Sequence, residues 1–154
     1  MLRLSTKGQY GVRAMFEIAK SYRSGPMTIK EIAERQNVSV AYLEQIMNKL
    51  RRGGLIDSVK GPGGGYVLSK EPSTISIGDI LKALEGPVAL TSCLGPGADT
   101  CNKVDICVMR LLWKKLGDKI EEFLEETTLM DLIGTDKGLM VKGFGYGGGE
   151  VKVC

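Results

Sequence analysis

The sequence predicts a mainly α-helical fold with a small β-hairpin wing. Three observations carry this. Apolar residues recur at spacings of three and four through successive segments of the first half. A glycine-rich turn, GPGGG at 61–65, separates two short apolar runs. A later stretch, about 106–126, keeps helical spacing longer than any other. Helix, helix, helix, hairpin is the order of a winged helix-turn-helix. The expected architecture is that domain plus a long dimerisation helix.

The first helix is expected from a cap at Ser5 or Thr6 to about Tyr22, with Met15, Ile18, Ala19 and Tyr22 inward. Ser24-Gly25-Pro26 breaks it. Thr28 and Glu31 have the spacing of a capping box, opening a short helix with Ile29, Ile32 and Ala33 inward. Asn37-Val38-Ser39 is the next turn, and Ser39 can cap a third helix. In that helix Val40, Leu43, Ile46, Met47 and Leu50 face the core, and Gly53 stops it. The polar face between them carries Ala41, Tyr42, Glu44, Gln45, Asn48 and Lys49.

Leu55 to Val59 alternates like a strand, and Tyr66-Val67-Leu68 is its return. Lys60 stands at the hairpin tip beside Gly61, Gly63 and Gly64, whose bare backbone can approach a phosphate. Ser76 caps a short helix, Ile77 to Leu84, ending before Gly86-Pro87. The long helix spans about Ile106 to Glu126, with Val108 or Met109, Leu112, Trp113, Leu116, Ile120, Phe123 and Leu124 on one face. Such a face is a dimer seam or an intramolecular lid, and the seam is the expected use. Thr128 to Ile133 adds one turn. The expected organisation is a DNA-binding domain over 1–70, a connecting helix and cysteine loop over 71–104, a dimerisation region over 105–133 and a glycine-rich mobile tail over 134–154.

Composition narrows function. The chain of 154 residues contains no His, which removes His-based triads, imidazole acid–base chemistry and imidazole metal sites. Aromatic residues are only 6%, too few for a stacking platform on single-stranded nucleic acid. Residues 1–70 carry twelve Lys or Arg against five Asp or Glu, a balance of +7. Residues 71–154 carry nine against thirteen, a balance of −4. A polyanion partner for the first half is the reading that follows. No apolar run approaches the ~20 residues that span a membrane, and the charged N-terminus lacks the apolar core of a secretory signal. A cytoplasmic location is expected, where thiols stay reduced.

The four cysteines therefore call for another use. Cys93, Cys101 and Cys107 form C-x7-C-x5-C in a Gly/Pro-bearing loop that feeds a helix. Converging thiolates suit a soft metal or an iron–sulfur cluster. The spacing is not that of paired zinc knuckles. The alternative is three half-buried thiols acting as small apolar residues.

Taken together, LSTKGQYGVRAM, IAERQNVSVAYLEQIMNKLRRGGLIDSVKGPGGGYVLSK and three spaced cysteines followed by LLW resemble the IscR group of bacterial winged-helix regulators. Its relatives include nitric-oxide sensors of the NsrR type and cysteine-supply regulators of the CymR type. The resemblance covers about 1–133. It implies a homodimer on a pseudo-palindromic double-stranded DNA operator. It also implies that Ser39, Ala41, Tyr42, Glu44 and Gln45 face the major groove, with Glu44 influencing operator class. Lys7, Arg51 and Arg52 would contact phosphates, and Lys60 stands where IscR has Arg. Cys93, Cys101 and Cys107 would hold an iron–sulfur cluster, [2Fe–2S] first, with [4Fe–4S] or no metal as alternatives. Two departures matter. Arg110 occupies the position of IscR's ligating His, and Gln9 that of the NsrR-type Asp. The fourth ligand is then open among Asp105, a carboxylate of the other protomer, Cys154 and an exogenous ligand.

The function so implied is control of iron–sulfur biogenesis genes in response to cluster or redox status. The competing readings are a DNA-binding regulator sensing thiol oxidation, nitric oxide or cysteine supply without iron, and an iron–sulfur redox protein with no DNA role. No enzyme class is expected.

Overall fold

The computed structural model describes residues 3–95 and 107–136. Helix α1, Thr6–Lys20, begins where the Ser5 hydroxyl accepts from Gly8 N at 3.0 Å. It ends two residues earlier than the sequence predicts. Tyr22 lies beyond it and is exposed, so it does not extend the buried stripe of Ala14, Met15, Ile18 and Ala19. Helix α2, Ile29–Gln36, opens on the expected capping box: Thr28 N donates to Glu31 Oε2 at 2.8 Å and Glu31 N to Thr28 Oγ1 at 3.3 Å. The bonds that Thr28 N and Oγ1 both donate to Oε2 hold the Glu31 carboxyl below the ordinary carboxylate value. Helix α3, Val40–Arg52, follows after a left-handed Asn37, and buries Leu43, Ile46, Met47 and Leu50.

Strands β1, Ile56–Val59, and β2, Gly65–Leu68, pair antiparallel from Ile56↔Leu68 to Val59↔Gly65. The alternation expected for β1 fails: the neighbours Leu55 and Ile56 are both buried, while Asp57, Ser58 and Val59 are all exposed. The outer part of the hairpin projects past the core, so no face there is covered. Met27 adds a short third rung, exchanging backbone bonds of 3.0 and 2.8 Å with Tyr66. This ties the loop before α2 to the wing.

Helix α4, Ile77–Glu85, starts from a second capping box between Ser76 and Asp79, and buries Ile77, Ile80, Leu81 and Leu84. Helix α5, Val108–Glu126, buries no residue in the single chain, and Leu124 near its C-terminus packs on the core. The chain then returns beside α4: Ile77 N donates to Thr127 O at 2.8 Å and Leu129 N to Ile75 O at 3.0 Å. Helix α6, Leu129–Asp136, is longer than the single turn predicted, and sets buried Leu129 and Ile133 into the same core as α1. Of the mobile tail expected over 134–154, residues 134–136 belong to α6 and the rest lies outside the described residues.

Beneath the site, the core is one cluster joining α1, α2, α3, β1, β2, α4 and α6. A fully buried Leu, Ile or Met contributes about 1.5–3 kcal/mol. Glu17 is the charged exception, buried within α1. It takes Arg35 Nη1 at 2.8 Å and Lys20 Nζ at 3.0 Å. Burial pushes its carboxyl up, but the Arg35 and Lys20 contacts outweigh this and hold it below the ordinary value.

Candidate nucleic-acid interface and cysteine site

Helices α2 and α3 are joined by only Asn37, Val38 and Ser39, with Asn37 N bonded to Glu34 O and Val38 N to Ala33 O. The tight turn follows from the left-handed Asn37, a residue that tolerates that conformation. It leaves the polar face of α3 in solvent: Ser39, Ala41, Glu44 and Gln45 are exposed and Tyr42 is half-buried. The Ser39 hydroxyl caps α3, accepting from Tyr42 N at 3.2 Å, so its acceptor role is partly spent within the protein. Arg51 and Arg52 are exposed at the C-terminal end of the same helix.

Two residues that the sequence reading did not place at this surface support it. Tyr10 of α1 meets Tyr42 edge to face, with ring centres 6.1 Å apart and planes at 87°. The exposed Arg13 guanidinium lies 5.6 Å from the Tyr10 ring centre. The Tyr10–Arg13 spacing of three on a helix was the available signal. Its link to Tyr42 is tertiary and invisible in the sequence.

Lys7, half-buried in the first turn of α1, lies beside Lys49 of α3. Contact with the Lys7 ammonium, reinforced by its charge, pushes Lys49 below the ordinary lysine value. On the wing, Lys60 is exposed just past β1. Gly61 and Gly63 have φ of 94° and 73°, and nothing crowds a Cβ at either. Their backbone is open to an approaching phosphate, and their conformation excludes most other residues. Gly64 is different. A Cβ there would overlap the Val59 carbonyl oxygen, so its glycine closes the turn.

Cys93 sits in a 3-10 turn, Ser92–Leu94, where its Sγ and Thr91 Oγ1 share a hydrogen bond of 3.0 Å. Cys107 is the N-cap residue of α5, and its side chain makes no capping bond. Both thiols are half-buried and free. Arg110, in the first turn of α5, donates from Nε to the Cys93 carbonyl at 3.4 Å. The Cys93 turn is thus seated against the end of α5 that Cys107 opens. No acidic residue occupies the first turn of α5, so its free amides favour an anionic group there. Cys101, Asp105 and Cys154 lie outside the described residues. Among the described residues no three His, Cys, Asp or Glu side chains gather as a metal site.

A family profile described as "Rrf2: Iron-dependent Transcriptional regulator" matches residues 4–135. The chain belongs to the Rrf2 family. The HTH-type transcriptional regulator IscR of Escherichia coli is 41% identical over 142 residues, covering 92% of this chain and 86% of that relative. Two solved structures agree. "T. potens IscR" is 40% identical with a TM-score of 0.74, over 93% of this chain and 95% of that one. The structure titled "The Structure of CymR (YrzC) the Global Cysteine Regulator of B. subtilis" is 41% identical with a TM-score of 0.71, over 88% and 98%. This Rrf2 chain is a winged-helix, DNA-binding transcription regulator of IscR-like type. Its relatives are named regulators, not enzymes. Among the described residues no helix is long and apolar enough to cross a membrane.

The Rrf2 fold brings the predicted α3 residues onto one exposed face and places Lys60 on the wing. Lys7 lies beside Lys49 of α3, at the junction of α1, α3 and α4. Of the cysteine set, the structure locates Cys93 and Cys107 at one end of α5.

Proposed function

We propose that this Rrf2 protein is a homodimeric regulator that senses iron–sulfur cluster or redox status and controls iron–sulfur biogenesis genes. Cys93, Cys101 and Cys107 would hold the cluster, [2Fe–2S] first and [4Fe–4S] as the alternative, with the fourth ligand drawn from Asp105, Cys154, the other protomer or a small exogenous ligand. The observation that carries the reading is the Arg110 contact, which seats the Cys93 turn against the helix that Cys107 caps. The donor chemistry fits: half-buried free thiols, no competing acidic residue in the first helical turn, and an arginine that offsets anionic charge. The bound cluster would supply a reversible change of charge and ligation. The chain's own part is to hold the thiolates and pass their rearrangement to α5.

Operator recognition would fall to Ser39, Ala41, Tyr42, Glu44 and Gln45 in the major groove, with Lys7, Arg51 and Arg52 on phosphates and Lys60, Gly61, Gly63 and Gly64 at the wing. Glu44 can accept from a cytosine amine and repels phosphate, which suits a selector of operator class. Lys60 keeps charge but lacks the planar fork of Arg.

Anaerobic purification with absorption spectra and iron and sulfide assays tests the cluster. We expect visible bands that disappear in Cys93→Ala, Cys101→Ala and Cys107→Ala. Unchanged spectra in all three overturn the assignment. A second reading, iron-free sensing of cysteine supply or thiol oxidation, draws on the 41% identity to the CymR structure. Colourless protein that still binds DNA supports that one.

A further inference from the structure

We propose that Glu85, the last residue of α4, competes with DNA backbone phosphate for the Lys7–Lys49 pair, so that α4 acts as a gate on DNA binding. The proposal rests on reading Lys7 as a phosphate contact. Glu85 reaches across to the start of α1, where the Ser5 hydroxyl donates to Glu85 Oε1 while accepting from Gly8 N. The carboxylate lies directly on the α1 backbone: a Cβ at Gly8 would overlap Glu85 Oε1. No acidic residue of α1 itself occupies that first turn, so Glu85 supplies the anion that the helix end favours.

Lys7 and Lys49 meet at the same junction. Lys49 Nζ donates to the carbonyl of Leu84, the residue before Glu85, at 3.5 Å, and Lys7 precedes Gly8, on whose backbone the Glu85 carboxylate lies. The charge of Glu85 opposes the repulsion between the two ammonium groups. Two neighbouring ammonium groups on the basic half suit one phosphate. A phosphate arriving there meets the Glu85 carboxylate as a like charge, so phosphate and Glu85 exclude one another.

The position of Glu85 is set by elements that also touch the cysteine site. Gly86, at φ 88°, ends α4 directly after it, and Leu90 beyond it stands in van der Waals range of Gly117 on α5. Lys82 of α4 pairs with Glu121 at 3.1 Å and Glu125 at 2.5 Å on α5. A Cβ at Gly53 would lie 2.8 Å from Ala83 Cβ, so α3 and α4 touch at backbone distance. A shift of the Cys93 turn or of α5 therefore reaches Glu85 through a single rigid helix.

The test uses random-sequence duplex DNA and the full chain, titrated between about 50 and 200 mM salt. Glu85→Gln should bind about two- to fivefold tighter, as expected for one exposed charge contact, with a salt slope steeper by about one ion. Gly8→Ala, which displaces the carboxylate sterically, should shift affinity the same way. Glu71→Gln changes net charge equally but lies elsewhere, and should leave affinity near wild type. In a Lys49→Gln background the Glu85→Gln gain should vanish. Unchanged or weaker binding by folded Glu85→Gln overturns the gate, as does a gain that persists without Lys49 or is matched by Glu71→Gln. A wild-type chain that binds no duplex overturns the gate together with the Lys7 reading.

Discussion

Glu17 shows how one buried charge orients the reading head. It lies in α1 and its Arg35 partner in α2, so the pair fixes the angle at which the first helix of the helix-turn-helix leaves the core. Because its carboxyl is held below the unfolded value, its contribution to stability is full above the unfolded carboxylate pKa. It is lost as pH falls through the lower folded value. Arg35 is half in solvent, so the pair is discounted for screening. Glu17→Gln should cost about 1–2 kcal/mol at pH 7, and the gap from wild type should close in acid. Urea denaturation at both pH values checks this; an equal gap in acid would contradict it. The residue scale is also where the sequence was least informative. Burial of Glu17 and the Tyr10–Tyr42 contact depend on which helices meet. Leu55 to Val59 reads as an alternating strand, yet Asp57, Ser58 and Val59 are all exposed where β1 leaves the core.

At the scale of elements, caps and breakers were legible because they are local chemistry. Thr28 with Glu31, Ser76 with the helix after it, Ser39 and the GPGGG turn all lie where the sequence put them. Helix α6 was underestimated because its stability comes from docking Leu129 and Ile133 beside α1, not from local pattern. Helix α5 was read as a seam or a lid. Only the C-terminal part covers the core, through Leu124, while Leu111, Leu112 and Leu116 are 61, 50 and 37% exposed in the single chain. A row of this kind on a regulator's longest helix supports the proposed dimer seam. Leu112→Glu should convert dimer to monomer at micromolar concentration and weaken operator binding by at least tenfold, since two half-sites would no longer be linked. Light scattering checks the mass; wild type already monomeric there would contradict the seam.

Across the whole molecule, the proposed function requires linkage between the reading head and the cysteine site. Helix α4 touches α1 and α3 on the reading side and the C-terminal half of α5, whose other end begins at Cys107, while α6 anchors the return of the chain to the core. The division of charge between halves was visible in the sequence, as were the wing and the cysteine spacing. The route between them was not, because Lys82, Glu121 and Glu125 become neighbours only in the fold. If both sites bias one arrangement, their coupling is reciprocal, and typical couplings of about 1–3 kcal/mol change affinity roughly 5- to 150-fold. The most direct measurement is DNA affinity, under strict anaerobiosis and at one salt concentration, of metal-replete and chelator-stripped protein on duplex from upstream of its own gene. The two Kd values should differ at least about fivefold, with the difference abolished in Cys107→Ala. Identical binding curves from a protein shown to carry iron and sulfide would contradict the linkage.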